Sequence, residues 1–173
     1  MQTIWKFGRL AVTGEEIDFM DPAETGPEVR ERGLRLELRV VRAGGGGSIY
    51  ASDGWAFTPA ICRIDLLESR PGAADRMHWH PVMADGEPGD RTFDHDMSAD
   101  PPAWVRSRLG DVESLLRGSG VTEDFHADAE ELRHGVDVIA TWIERGLQRM
   151  RQPWPEATHD ERGLAPMPPG PRA

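Results

Sequence analysis

The chain of 173 residues has one cysteine, no long apolar run and no excess of positive charge, and each shortage excludes something. With Cys62 alone, no disulfide can form within the chain, which fits a reducing compartment. No apolar stretch approaches the roughly 20 residues that a bilayer-spanning helix needs. The opening Met1-Gln2-Thr3-Ile4-Trp5-Lys6 lacks the charged-then-apolar layout of a signal peptide, so a cytoplasmic location is the expectation. Acidic residues number 30 against 20 basic ones, a formal net charge of −10. Such a surface repels phosphate backbones and anionic lipids, so neither nucleic acid nor membrane is an expected partner. The basic residues of Arg30–Arg42 alternate with Glu31 and Glu37 and read as a mixed, solvated face.

Complete catalytic signatures are missing as well. There is no Gly-x-Ser-x-Gly elbow and no dinucleotide-binding fingerprint. Gly44-Gly45-Gly46-Gly47-Ser48 lacks the Lys-Ser/Thr that completes a phosphate-binding loop, and reads as a hairpin connection.

What is present is a run of strands followed by helices. Apolar residues make up 38% of the chain, with 19 glycines and 14 prolines, so the core is concentrated in a few segments. Ile4–Val12 and Glu16–Phe19 read as two strands around a turn at Thr13-Gly14. Leu34, Leu36, Leu38 and Val40 alternate with Arg35, Glu37 and Arg39, the period-2 mark of a half-buried strand. Ala60–Glu68 and Asp75–His80 follow as strands around Pro71-Gly72, and Arg91–Phe93 is a further short candidate. Asp100-Pro101 is a helix start, with Val105, Leu109, Val112 and Leu116 at helical spacing up to Gly118. A second helix runs from about Asp128 to Met150 on the stripe Leu132, Val136, Ile139, Ile143 and Leu147, widened by Val138 and Trp142. The expectation is one α+β domain over residues 1–150: an antiparallel sheet of about five or six strands, covered on one face by two C-terminal helices. Residues 151–173, with six prolines, read as a disordered or surface-laid tail.

The site expectation comes from strand register. Pairing Ala60–Glu68 with Asp75–His80 in apolar phase sets Leu66 opposite Met77 and Ile64 opposite Trp79. Asp65 then faces His78, and Arg63 faces His80; a one-residue slip would drive charges into the core. Two histidines at i and i+2 point to one side of a strand, and a carboxylate across from them completes a ligand set for Zn, Fe(II) or Mn. His78, His80 and Asp65 are therefore the expected metal ligands. Arg63 and Arg76 are expected anchors for an anionic substrate. Asp90 and Glu87, in the following loop, are expected acid/base groups, and Asp94 and His95 further candidates. The bland alternative is a solvated polar face on which Asp65 simply pairs with an arginine.

The stretch Pro71-Gly72, five residues, then His78-x-His80-Pro81 resembles the first metal-binding motif of the cupins over about ten residues. Cupins are β-barrels in which two histidines and a glutamate hold a metal. Their glutamate follows the second histidine by three or four residues, whereas Glu87 lies seven on, and no second half-motif follows.

Among the remaining candidates, His134 falls opposite its helix's apolar stripe, and His126 and His159 have no partner pattern. Cys62 shares the apolar phase of its strand and reads as an inert thiol. Trp79, Trp104 and Trp142 fit core positions, while Trp55 and Trp154 fit a cleft or an interface. Two functions follow from these residues. One is a small metal-dependent enzyme acting on an anionic small molecule. The other is a non-catalytic module binding a ligand or protein, or forming a homodimer, through the same polar face.

Overall fold

A computed structural model describes residues 2–20, 29–44 and 54–165. Strand β1 (Gln2–Phe7) runs antiparallel to β2 (Leu10–Met20), joined by a turn at Gly8-Arg9. Gly8 has φ +55°, and a Cβ there would stand 2.1 Å from the Asp128 carboxylate, so the turn requires glycine. The turn expected at Thr13-Gly14 is instead the interior of β2. Gly14 serves packing: its missing side chain leaves room for the rings of Trp5 and Trp142, which meet edge to face at 5.3 Å.

The long strand β3 (Arg30–Ala43) pairs with β2 on one side and with β5 (Cys62–Glu68) on the other, while β4 (Trp55–Phe57) pairs with its end. Strand β6 (His78–His80) closes the order β1-β2-β3-β5-β6, every neighbouring pair antiparallel. Its ladder is shorter than the expected Asp75–His80, although Met77 is buried as its phase requires. A small hairpin, β7 (Met83–Ala84) with β8 (Glu87–Pro88), turns through Asp85-Gly86, both at positive φ as a two-residue hairpin demands. The cupin-like spacing thus lies on an open sheet backed by helices, not in a barrel.

Among the described residues four helices follow: α1 (His95–Ala99), α2 (Pro101–Gly110), α3 (Val112–Gly118) and α4 (His126–Met150). The Asp100 side chain caps α2 by accepting from the Ala103 amide at 3.1 Å. The single helix expected from Pro101 to Gly118 is divided at Asp111, where the backbone leaves helical values (φ −107°, ψ 43°). Both halves still bury Val105, Leu109, Val112 and Leu116. On α4 the stripe from Leu132 to Met150 is buried and Trp142 packs against it, but Val138 is 60% exposed and does not belong to it.

Leu34, Leu36, Leu38 and Val40 pack with Cys62, Ile64, Leu66 and these helices into one core on a single sheet face. The other face carries Glu37, Arg35, Arg39, Arg63, Asp65 and both histidines. Residues 151–165 lie along the sheet edge. Arg151 donates to the buried Glu68 at 2.7 and 2.9 Å, and His159 reaches Asp18 at 3.2 Å. The Met20 amide donates to the Gly163 carbonyl at 2.7 Å, and Phe19 and Leu164 form a β-bridge. His159 therefore has a partner that no local pattern announced. Most of the glycine run (45–48) and the end of the tail (166–173) lie outside the described residues. Among the described residues, no helix is long and apolar enough to cross a membrane.

Candidate metal centre

The register of β5 and β6 is Arg63 with His80, Ile64 with Trp79 and Asp65 with His78, as the apolar phase requires. Asp65, His78 and His80 are 2%, 5% and 5% exposed, so three polar side chains meet in a spot nearly closed to water. Asp65 Oδ2 lies 3.4 Å from His78 Nε2 and 3.9 Å from His80 Nε2. One ligand atom from each residue falls within 4.8 Å of both others. Ligands about 2.1 Å from a shared tetrahedral ion stand about 3.4 Å from one another, so this triangle fits a cation after small side-chain rotations.

The protons on the rings follow from their other contacts. His78 Nδ1 lies 2.9 Å from the Arg76 carbonyl, and His80 Nδ1 lies 2.7 Å from the Gly89 carbonyl. A carbonyl only accepts, so each Nδ1 carries a proton, and a neutral ring then presents a bare lone pair at Nε2. Burial pushes His80 below its ordinary value; the Gly89 hydrogen bond opposes this and the adjacent His78 reinforces it, leaving the ring neutral near pH 7. Histidines oriented by a carbonyl on Nδ1 and free at Nε2 have the arrangement typical of metal ligands. The Gly89 carbonyl is set by the β7–β8 hairpin, whose exit is tied by the Gly89 amide to the Val82 carbonyl at 3.2 Å.

Asp65 is held from its other side. Arg35, directly across on β3, donates from Nε to Asp65 Oδ1 at 2.6 Å. Sequence reasoning passed over Arg35 as a site residue, although its alternation with Leu34 and Leu36 already placed it on this face. Arg63 is engaged by Glu37, which also takes Arg39. Burial pushes Glu37 up, and the two arginines more than reverse it, holding the carboxyl below its ordinary value.

The cluster forms one end of a pocket of about 540 Å³ that also includes Arg35, Arg63, Arg91 and the tail residues Arg162 and Leu164. Arg91 arrives through a return of the chain beside β6. Trp79 and Thr92 exchange backbone hydrogen bonds at 3.0 and 2.8 Å, so their flanking residues, Arg91 and Phe93, share the face of the histidines. The Phe93 ring stands 5.9 Å from that of His78.

The other expected residues lie elsewhere. Arg76 is half exposed, 3.9 Å from Glu31, and contributes to the cluster only its carbonyl. Glu87 and Asp90 are exposed and do not line the pocket. Asp94 caps α1 and accepts from Trp104 Nε1 at 2.8 Å, and His95 is 95% exposed, so neither joins the ligands. Glu31, which sequence reasoning treated as part of a solvated face, lines the pocket. Cys62 is buried, and burial pushes its thiol up to about 12, which makes it inert. In comparisons with family models, with curated proteins and with solved structures, nothing matches the chain.

Proposed function

We propose that Asp65, His78 and His80 hold one divalent cation (Zn, Fe(II) or Mn) and that the pocket over it receives a small anionic molecule on which the centre acts. The observation that carries this reading is the convergence of one ligand atom from each of the three residues at a buried spot, with both Nδ1 atoms turned to backbone carbonyls. Neutral rings so turned aim Nε2 lone pairs at a buried carboxylate, an arrangement that is costly away from water and that a cation relieves. Such an ion supplies Lewis acidity, polarising an oxygen of the ligand or of a water. Arg35 fixes the Asp65 carboxylate, and the Arg76 and Gly89 carbonyls fix the two rings. Of the two expected anchors, Arg63 stands in the pocket wall. Asp90 and Glu87 would move protons only from the rim, whereas Glu31 is the second carboxylate of the wall itself.

That scarcity of acid/base groups favours a second reading, in which the same centre binds its anion without turning it over.

Untagged protein titrated calorimetrically with Zn(II) and Mn(II) tests the centre. One ion per chain is expected, weakened more than about 100-fold in His78→Ala and in His80→Ala, beyond the loss typical of outer-shell changes. Neither binding heat nor a melting shift with either metal, or undiminished binding in the double variant, would rule it out.

A further inference from the structure

We infer that the molecule received by this pocket is a monocarboxylate with an apolar body, its charge anchored by Arg91 and its body laid against Ile17, Phe19, Leu67 and Leu164. The inference rests on the metal reading for the second anchor of the carboxylate, but not for the first.

Charge matching leads to it. Four arginines line the pocket, and three are already engaged: Arg35 by Asp65 at 2.6 Å, Arg63 by Glu37 at 2.9 Å and Arg162 by Asp160 at 2.8 Å. Arg91 has no carboxylate partner among the described residues, and it stands on the histidines' side of β6. One uncompensated guanidinium matches one carboxylate, in the planar two-bond geometry that arginine favours. In the metal-free pocket a phosphate or a second carboxylate would bring further negative charge beside Glu31 and Asp65, with no second unpaired arginine among the described lining residues to meet it.

The apolar lining residues set the rest of the ligand. On this face β2 changes character: Thr13 and Glu15 give way to Ile17 and Phe19, which break the polar phase where the pocket begins. Leu67 joins from β5, and the β-bridge between Phe19 and Leu164 brings in a fourth apolar side chain from the tail. Ile17 and Leu67 are already 8% and 3% exposed, so the apolar surface left for a ligand is mainly that of the half-buried Phe19 and of Leu164, which is 36% exposed. A volume of about 540 Å³ suits a small molecule.

The test uses the full chain, both treated with EDTA and loaded with Zn(II). Hexanoate, acetate, hexanamide and inorganic phosphate serve as probes in calorimetry and thermal melts. Hexanoate is expected to bind at least about tenfold more tightly than acetate, since each buried methylene is worth about fourfold. It should also exceed hexanamide and phosphate. Arg91→Gln should weaken hexanoate about tenfold or more and leave the Zn(II) titration unchanged. Leu164→Ala should narrow the gap between hexanoate and acetate. Equal binding of hexanoate and acetate, a preference for phosphate in the EDTA-treated protein, or indifference to Arg91→Gln overturns the inference. If Zn(II) fails to bind while EDTA-treated protein still takes hexanoate through Arg91, the metal reading falls and this one stands. If Zn(II) binds and hexanoate does not in either state, the reverse holds.

Discussion

Asp65 is 2% exposed and has one fixed cation beside it, the Arg35 guanidinium at 2.6 Å. A carboxylate so deep cannot be left alone, because removing one partner of a buried pair strands the other charge. Arg35→Ala should therefore destabilise the metal-free protein by about 2–3 kcal/mol, below the full range for buried pairs because Arg35 is itself 26% exposed. Affinity for Zn(II) should fall about 10- to 100-fold in Arg35→Ala, since the carboxylate loses the group that orients it. Stabilisation by a ligand follows its affinity, so Zn(II) should raise the melting temperature of Arg35→Ala less than that of the unaltered protein. Thermal melts with and without Zn(II) measure both effects. An equal Zn(II)-induced shift in the two proteins would show that Arg35 and the ion do not share Asp65.

Strands β3 and β5 carry Arg35 and Asp65, and their separation is set where Gly33 meets Leu66. A Cβ on Gly33 would come within 2.0 Å of the Leu66 carbonyl, a backbone atom that cannot step aside. Gly33→Ala is expected to cost about 3 kcal/mol, the upper end for overpacking, and to weaken metal binding by displacing Asp65 relative to Arg35. Asp100→Ala, which removes only a helix cap, should cost about 1 kcal/mol and leave metal binding alone. Urea unfolding with parallel metal titration separates the two. Loss of metal affinity in Asp100→Ala, or its retention in Gly33→Ala, would contradict this assignment. Elements also show where pattern reading succeeds. Leu34–Val40 was legible because its alternation is uninterrupted. The β1–β2 turn was not, because Gly14 looks like a turn residue and in fact makes space for two tryptophans from distant segments.

Across the whole molecule, buried or half-buried carboxylates tie segments together: Asp18 holds Arg30 and His159, Glu37 holds Arg39 and Arg63, and Asp128 holds Arg9. Burial pushes each of the three up, and the arginine contacts, with His159 aiding at Asp18, more than offset it, so all three sit below their ordinary values. A carboxylate with a lowered folded pKa binds protons more weakly folded than unfolded. Its contribution is complete above the unfolded value, near pH 4, and is lost as pH falls through the folded one. These three carboxylates add no slope between about pH 7 and 5, where the lowered His80 costs stability as it protonates below about pH 6.5, and they lower the melting temperature of EDTA-treated protein steeply below about pH 4. Asp18→Asn should be less stable at neutral pH and show a shallower acid limb. Circular-dichroism melts across that range check this. An acid limb as steep in Asp18→Asn as in the parent would remove Asp18 from the account.

The amino-acid sequence by itself determined the sheet and its polar face, because period-2 alternation in Leu34–Val40 and Cys62–Leu66 admits one register without burying charge. That register sets Asp65, His78 and His80 on one face of adjacent strands. Only the tertiary structure decided which arginine does what. Arg35, Arg63, Arg76 and Arg91 are alike in sequence, and each one's role depends on a carboxylate, or the lack of one, supplied by another strand. The same holds for Leu164 and His159, whose partners lie on β2 across more than a hundred residues. Local pattern reports which way a side chain points; what it meets there depends on chain segments brought in by packing.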